Sequence, residues 1–396
     1  MLRYTHESMP KCRARLSLIA FLCVLIGNSP AWSQVAVHYI NVGQAAAALV
    51  EFDSGLIMID AGGEATSDQP SGEVYRQHLI DYTNGVFAKH PAWNKTIEGL
   101  IISHPHIDHT MLIMDVLKNF TVHTLVDNGA ECGSGMPDLK KARAWATQNH
   151  ISYLAIRDAS IHAAGYPVHL LENPGPDAPQ VLLLSGGRGC LNPNNDSITV
   201  RIVTKEASIL FAGDAESEDT GASKCPVSLA KCVPEMSMLE TRYGNTDLLK
   251  ADLYLEAHHG SPNGFTPEFL SAVAPSISVI SAGDPLRAGP EQFHGYEYGH
   301  PRDIAVNELI KDTTGTRTPP VAASVFSAAN TATSKNVTPP KTVSIDKAVY
   351  CTCWDGDIKV AYAAGSHEPT VTTDSFRPPV KPQDLPKKKA TTKSKP

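Results

Sequence analysis

The sequence predicts an α/β protein in which two sheets are flanked by helices. Three observations carry that expectation. Short apolar runs of strand length recur along the chain, broken by Gly, Asn and Asp. Segments with helical spacing are interleaved among them. Several strand runs end on metal-capable side chains, most densely at His104-Pro105-His106-Ile107-Asp108-His109.

The elements read in order as follows. Val35–Val42, Ala46–Phe52 and Leu56–Ile59 are three successive strands, ending at Asp60-Ala61-Gly62-Gly63. Residues 64–96 are polar and partly helical in pattern, the expected place for a lid over a cleft. Gly99–Ser103 is a buried strand leading into the histidine loop, and Met111–Asn119 is a helix. Thr121–Val126 and Ser152–Ile156 are strands on either side of a helix at Asp138–Asn149. Segment 157–180 holds four prolines, and Val181–Ser185 is again a strand. Ser197–Thr204 and Ser208–Ala212 form a hairpin. Strands at Asp252–Glu256 and Ile277–Ser281 enclose a helix at Pro267–Val273, and residues 302–312 are helical. The Thr-, Pro-, Ala- and Ser-rich stretch 313–342 reads as a long surface loop. Ala348–Cys353 and Asp357–Tyr362 read as a final hairpin turning at Trp354-Asp355-Gly356.

The 396 residues are 42% hydrophobic, enough for a full core in one large or two modest domains. A net charge of −7 gives no hint of a nucleic-acid-binding surface. Bound metals can nevertheless supply local positive charge to an anionic substrate. The first 33 residues read as an export signal. Lys11, Arg13 and Arg15 precede the apolar stretch Leu16–Gly27, too short for a membrane span, and Ala31-Trp32-Ser33 follows as a cleavage site. The expected mature chain is secreted or periplasmic and has no transmembrane segment. Its domain runs over 34–364. Residues 365–396 are a Pro- and Lys-rich tail expected to be disordered, either simply solvated or touching an anionic polymer or surface.

Six cysteines remain after cleavage, an even number that suits an oxidising compartment. Cys225 and Cys232 flank a short Pro-containing loop and are the expected pair. A bridge between Cys351 and Cys353 is expected to be strained, because the segment reads as a strand. Cys132 with Cys190 has no local signal for or against it.

The histidine loop carries the chemistry. Alternation lets His104 and His106 point the same way, while the following turn brings Asp108 and His109 to a second point nearby. That arrangement suits two metal ions a few ångströms apart. Two later segments extend it. Ile209–Asp214 places an aspartate after a glycine at a strand end, where its two oxygens can bridge two cations. Leu253–Ser261 is again a strand followed by histidines, His258 and His259, of which one can ligate while its neighbour bonds the substrate.

In this order, strand-Asp60, His-x-His-x-Asp-His, Gly-Asp214 and His258-His259-Gly260-Ser261 resemble the metallo-β-lactamase fold. Within it, the sequence is similar to the hydrolase domain of bacterial competence (DNA-uptake) channel proteins and its stand-alone relatives. The shared motifs are Val42-Gly43-Gln44, Asp60-Ala61-Gly62, Ser103–His109, Asn194-Asn195-Asp196-Ser197, His258–Ser261, Tyr298-Gly299-His300-Pro301 and Trp354–Ile358. Ala45-Ala46 and Thr110-Met111-Leu112 stand where that family has Gly-Asp and Gly-Gly, and Asn41 stands where Asp is common. The middle histidine ligand widespread in the metallo-β-lactamase fold has no clear counterpart, His162 and His169 being nearby but without a motif, and this matches the competence-type pattern, where the Asn-rich segment occupies that region.

The resemblance implies an αββα sandwich of two mixed sheets flanked by helices, and a centre for two Zn2+ ions, with Mn2+ as the alternative. His104 and His106 would hold one ion. Asp108, His109 and one histidine of the 258–259 pair, taken as His259, would hold the other, with Asp214 bridging. Asp60 would orient a ligand. Asp108, His258 and His300 are the expected catalytic residues, His300 by contacting a phosphate. The implied activity is a hydrolase whose metal-bound hydroxide attacks a phosphoester or phosphodiester, in a small molecule or in nucleic acid. A second reading is a lactonase or β-lactamase-like ester or amide hydrolase. A third, of another class, is a non-catalytic binding protein on the same scaffold.

Overall fold

The computed structural model describes residues 33–64, 73–171, 178–190, 192–218, 233–284, 298–327 and 340–374. The expected signal segment, the expected Cys225–Cys232 pair and the Lys-rich end lie outside the described residues.

The strands are β1 (Ser33–Tyr39), β2 (Ala47–Phe52), β3 (Gly55–Ala61), β4 (Thr96–Ile101), β5 (Thr121–Asp127), β6 (Ser152–Ala155), β7 (Tyr166–Val168), β8 (Gln180–Leu183), β9 (Val200–Val203), β10 (Ser208–Phe211), β11 (Leu253–Leu255), β12 (Ile277–Ile280), β13 (Thr316–Val325), β14 (Lys341–Lys347), β15 (Val349–Cys351), β16 (Ile358–Ala363) and β17 (Pro369–Thr373). They form an eight-stranded sheet ordered β17-β16-β1-β2-β3-β4-β5-β6 and a seven-stranded sheet ordered β15-β12-β11-β10-β9-β8-β7, with β13 and β14 paired apart. Both large sheets are mixed. β3 to β6 run parallel, as do β10, β11, β12 and β15, while β1, β2 and β16 are antiparallel neighbours.

Period-two alternation builds the layers. Val35, Val37 and Tyr39 of β1 meet Ala48, Val50 and Phe52 of β2 and Ile57 and Ile59 of β3 in a core shared with Val200, Ile209, Phe211, Leu253 and Val279 of the other sheet. The intervening Leu49, Leu56 and Met58 face the other way, against α1 (Glu73–Lys89), α3 (Ile113–Asn119) and α4 (Met136–Gln148), the short α2 (Ile107–Thr110) lying in the histidine loop. Leu210, Tyr254 and Ile280 similarly face α5 (Glu235–Tyr243), α6 (Pro267–Val273) and α7 (Asp303–Asp312). All six residues of β2 are therefore buried, because both faces of its sheet are covered. The result is an αββα sandwich.

Five expectations need correction. Helix α1 is not a lid: Leu79, Ile80, Val86 and Phe87 pack into the core on the outer face of the eight-stranded sheet. Segment 313–342 is not all loop, since β13 pairs with β14. The final hairpin does not form. β15 lies parallel to β12 in one sheet, while β16 pairs with β1 in the other. The helical turn α8 (Thr352–Asp355), with Trp354 buried, carries the chain between them. The folded chain also continues past Gly365, as β17 adds to β16.

The cysteines are the fifth. Cys351 and Cys353 are bridged, with Cα atoms 5.1 Å apart. Residues two apart in an extended strand sit about 6.5 Å apart. The turn beginning at Thr352 shortens that span. Cys132 and Cys190 form the other described bridge, at a Cα separation of 5.8 Å.

Candidate metal centre

The site lies where parallel strands end. Pairing of Ile59 with Ile101 sets Asp60 beside Ile102 and Ser103. Pairing of Phe211 with Leu255 sets Asp214 beside the His258-His259 turn. The crevice at the carboxyl ends of parallel strands is the usual ligand site of such sheets.

Asp60 is buried and adopts a left-handed backbone, φ 59°. Its Oδ1 accepts from the Ser103 amide (2.7 Å), and its Oδ2 accepts from Ser103 Oγ (2.9 Å) and His109 Nδ1 (2.8 Å). It thus orients His109 and is absent from both ligand groups described below. The His104–His109 loop is held from behind. The Gly135 amide donates to Pro105 O (2.8 Å) and the Ile107 amide to Ser134 Oγ (3.1 Å). The Cys132–Cys190 bridge links this support to the segment that carries Asn194. At 258–259 two successive histidines are left-handed, φ 53° and 55°. Such backbone is costly for non-glycine residues and is held here by His258 N donating to Gly213 O (3.1 Å).

Two groups of side chains converge from these loops. One is His104, His106 and Asp214; the other is Asp108, His109, Asp214 and His259. Within each, one donor atom per residue lies inside 4.8 Å of every other. Asp214 belongs to both, its Oδ1 3.2 Å from His109 Nε2 and its Oδ2 3.7 Å from His104 Nε2 and from His259 Nε2. Asp108 Oδ2 is 3.4 Å from His259 Nε2. The predicted ligand set is brought together. His162 and His169 are exposed and belong to neither group.

The donor chemistry fits cations. His109 Nδ1 donates to Asp60, and His259 Nδ1 donates to Ser281 O (2.6 Å). With those protons placed, both neutral rings present lone pairs at Nε2, yet these atoms face each other at 3.3 Å in a buried site. A shared electropositive centre removes that repulsion. With no cation in place, the same carboxylates favour a proton there instead. Burial opposes charge on His109, but Asp214 and Asp60 outweigh it and raise its pKa well above the ordinary value. Burial likewise opposes charge on Asp214, and His109, His259 and His104 outweigh it, holding the carboxyl well below its usual range.

A cavity of about 330 Å³ opens onto the cluster, lined by Gln44, Asn194, His258, Tyr298 and His300 beside the ligand residues. Gln44 defines the state of His300. Its Oε1 accepts from the Gly283 amide (3.1 Å), so its Nε2 donates to His300 Nδ1 (3.1 Å). The His300 proton then sits on Nε2, leaving that atom a donor. Burial, with His258, His259 and Arg302 nearby, lowers the His300 pKa well below the ordinary value and keeps the ring neutral.

One residue at the site went unread in the sequence. Glu216 is buried, accepts from Asn192 Nδ2 (2.6 Å) and Asn194 Nδ2 (2.8 Å), and lies 3.5 Å from His258 Nδ1. Its only sequence signal is its place two residues after Asp214. Ala45 and Ala46, which replace the expected Gly-Asp, are buried, with Ala46 N donating to Asp108 O (3.0 Å). They brace the metal loop and do not reach the cavity lining.

The family model described as the metallo-beta-lactamase superfamily matches residues 40–284. The chain belongs to the metallo-beta-lactamase superfamily and is a hydrolase of that fold. Solved structures similar to it include the metallo-beta-lactamase fold protein YhfI from Bacillus subtilis, at 12% identity and a TM-score of 0.38, covering 71% of this chain and 94% of that one. A diphosphatase of the PhnP family is similar at 11% identity and a TM-score of 0.33, over 62% of this chain and 85% of that one. The subclass B3 metallo-beta-lactamase MEM-A1, from a soil metagenome library, is similar at 14% identity and a TM-score of 0.34, over 58% and 78%. No curated protein matches.

Proposed function

We propose that this protein is an exported, dinuclear metal-dependent phosphoesterase of the competence-protein type, acting on phosphodiesters of nucleotides or nucleic acid. The observation that carries the reading is the pair of ligand groups sharing Asp214 at the floor of a cavity walled by histidines and amides. His104, His106 and Asp214 would hold one ion, and Asp108, His109, His259 and Asp214 the other. Zn2+ suits these N and O donors, and Mn2+ is the alternative. Such ions, when bound, lower the pKa of water to about 7 and neutralise charge developing on the substrate.

The chain's own residues complete the site. His300 offers its Nε2 proton to an anionic substrate oxygen, held in that tautomer by Gln44. Asn194 and Glu216 brace His258 at the cavity wall, where its imidazole can bond a second substrate oxygen. Motifs supporting the competence-type subclass are Val42-Gly43-Gln44 and Tyr298–Pro301, which supply Gln44 and His300.

Elemental analysis after reconstitution with Zn2+ or Mn2+ is expected to find close to two ions per chain. The same preparation is expected to hydrolyse bis(p-nitrophenyl) phosphate and DNA faster than a lactone. Lactone turnover without phosphodiester turnover would replace this reading with the lactonase one. Absence of both metal and turnover would favour a non-catalytic binding protein.

Export is supported by the leader-like pattern of residues 1–33 and by the two disulfides among the described residues, since such bridges persist in oxidising compartments. No helix among the described residues is long and apolar enough to cross a membrane. N-terminal sequencing of protein from its native host is expected to begin at Gln34. A full-length cytoplasmic product would refute export.

A further inference from the structure

Behind the cavity wall, the three residues that follow β12 carry hydrogen bonds that orient the site. The Ser281 carbonyl accepts from His259 Nδ1 (2.6 Å), which turns Nε2 of that ring toward Asp108 and Asp214. The Gly283 amide donates to Gln44 Oε1 (3.1 Å), which commits Gln44 Nε2 to His300 Nδ1 (3.1 Å). Ala282 joins these two contacts. It is fully buried and lies beyond Ile280, the last residue of β12. Its amide donates to Thr352 Oγ1 (3.0 Å), and its carbonyl accepts from the same hydroxyl (2.9 Å). One side-chain atom thus pairs with both backbone groups of the residue that links a metal-ligand support to a substrate-facing one.

Thr352 is itself on a fixed mount. The Cys351–Cys353 bridge closes across it. The Cys351 amide donates to Asp355 Oδ2 (3.1 Å), and Arg317 donates to both oxygens of Asp355. Cys351, Thr352 and Asp355 are all fully buried. Thr352 belongs to neither ligand group and is absent from the cavity lining, so it can act on the site through Ala282 alone or not at all.

We propose that Thr352 is a positioning residue for the hydrolytic site. It holds segment 281–283 so that His259 faces the ion position shared with Asp108 and His109, and so that Gln44 keeps the His300 proton on Nε2. The proposal rests on the two-metal phosphoesterase reading above. Valine has the shape of threonine without its hydroxyl, so T352V leaves the buried Ala282 amide and carbonyl without that partner. The segment then gains freedom, and the Ser281 carbonyl and Gly283 amide move with it.

Zn2+ binding to the full chain, measured by competition with a chromogenic chelator, tests this together with calorimetric titration of inorganic phosphate. T352V is expected to bind the ion of the His259 group about 10- to 100-fold more weakly, the usual cost of losing an outer support of a metal ligand. The ion of the His104–His106 group should bind as in wild type. At saturating Zn2+ the variant should still bind phosphate more weakly, through His300. T352S keeps the hydroxyl and should restore both affinities. T83V makes the same change at a buried threonine of α1, whose hydroxyl donates to Leu79 O (2.7 Å), and should leave both affinities unchanged. If T352V is not recovered folded, T352A also removes the hydroxyl and is read in its place. Wild-type affinities in T352V, or equal losses in T352S or T83V, would overturn the positioning role. Zn2+ binding by wild type without phosphate binding would sink the phosphoesterase reading, and the Zn2+ affinities would then decide the role of Thr352. Absence of Zn2+ binding by wild type would sink the metal centre and this role with it.

Discussion

Asp214→Ala is expected to lower kcat on a small phosphodiester by at least about 100-fold, the loss seen when even one stabilising donor is removed from a transition state. The variant should also fail to retain both metal equivalents. Asp214 is the only residue present in both ligand groups, with one oxygen toward His109 and the other toward His104 and His259. Its removal also leaves the buried imidazoles of His104, His109 and His259, half-buried His106 and Asp60 around a void with altered charge. His106→Ala touches one group only. It is expected to abolish turnover while sparing metal at the Asp108–His109–His259 side. The measurements are kcat and elemental analysis on the same preparations. If Asp214→Ala keeps more than about a tenth of the wild-type rate, far above that allowance, the shared-carboxylate centre is misassigned.

Gly62→Ala is the second large effect. A methyl group there would sit 1.6 Å from the carbonyl oxygen of Asp108 and 2.9 Å from that of Ala46. Both obstacles are backbone. They are also tied to each other, since Ala46 N donates to Asp108 O (3.0 Å) and Gly62 N to Ala46 O (2.9 Å). No rotamer change relieves the overlap, so the loop bearing Asp108 and His109 must move. Overpacking of this kind costs about 1–3 kcal/mol, and more where backbone must shift. Urea unfolding of the metal-free variant should show that loss, and metal titration should show weakened binding. Gly85→Ala is the control: it lies within α1 with nothing inside 4 Å of the added carbon. It is expected to stabilise by about 0.5–1 kcal/mol through helix propensity. Wild-type stability and metal content in Gly62→Ala would show that the close approach is not needed.

Much of the site was legible because its signals are local. Three histidines and an aspartate within six residues, placed after an apolar strand, need no tertiary knowledge to be recognised. Asp214 and His258-His259 follow strands in the same way. Glu216 escaped because its role depends on Asn192 and Asn194, which arrive from a loop more than twenty residues earlier in the chain. Gln44 was visible as part of a motif, but its grip on His300 spans 256 residues and needs Gly283 to orient the amide.

By itself the sequence determined the layered α/β architecture and the chemistry of the loops. Alternation such as Val35, Val37 and Tyr39 against Ile40 and Val42 is written residue by residue, and so is the ligand type at each strand end. Tertiary structure alone decided which strands are neighbours and which distant side chains meet. β15 and β16 read as a hairpin because they are short, apolar and close in sequence, yet β15 joins β12 in one sheet and β16 joins β1 in the other. The choice lies in burial of Trp354 and the turn at Thr352–Asp355, which form only when both sheets are present. The Cys132–Cys190 bridge has the same origin. Its partners lie 58 residues apart and are made neighbours by the packing of the two loops they join, which no local pattern encodes.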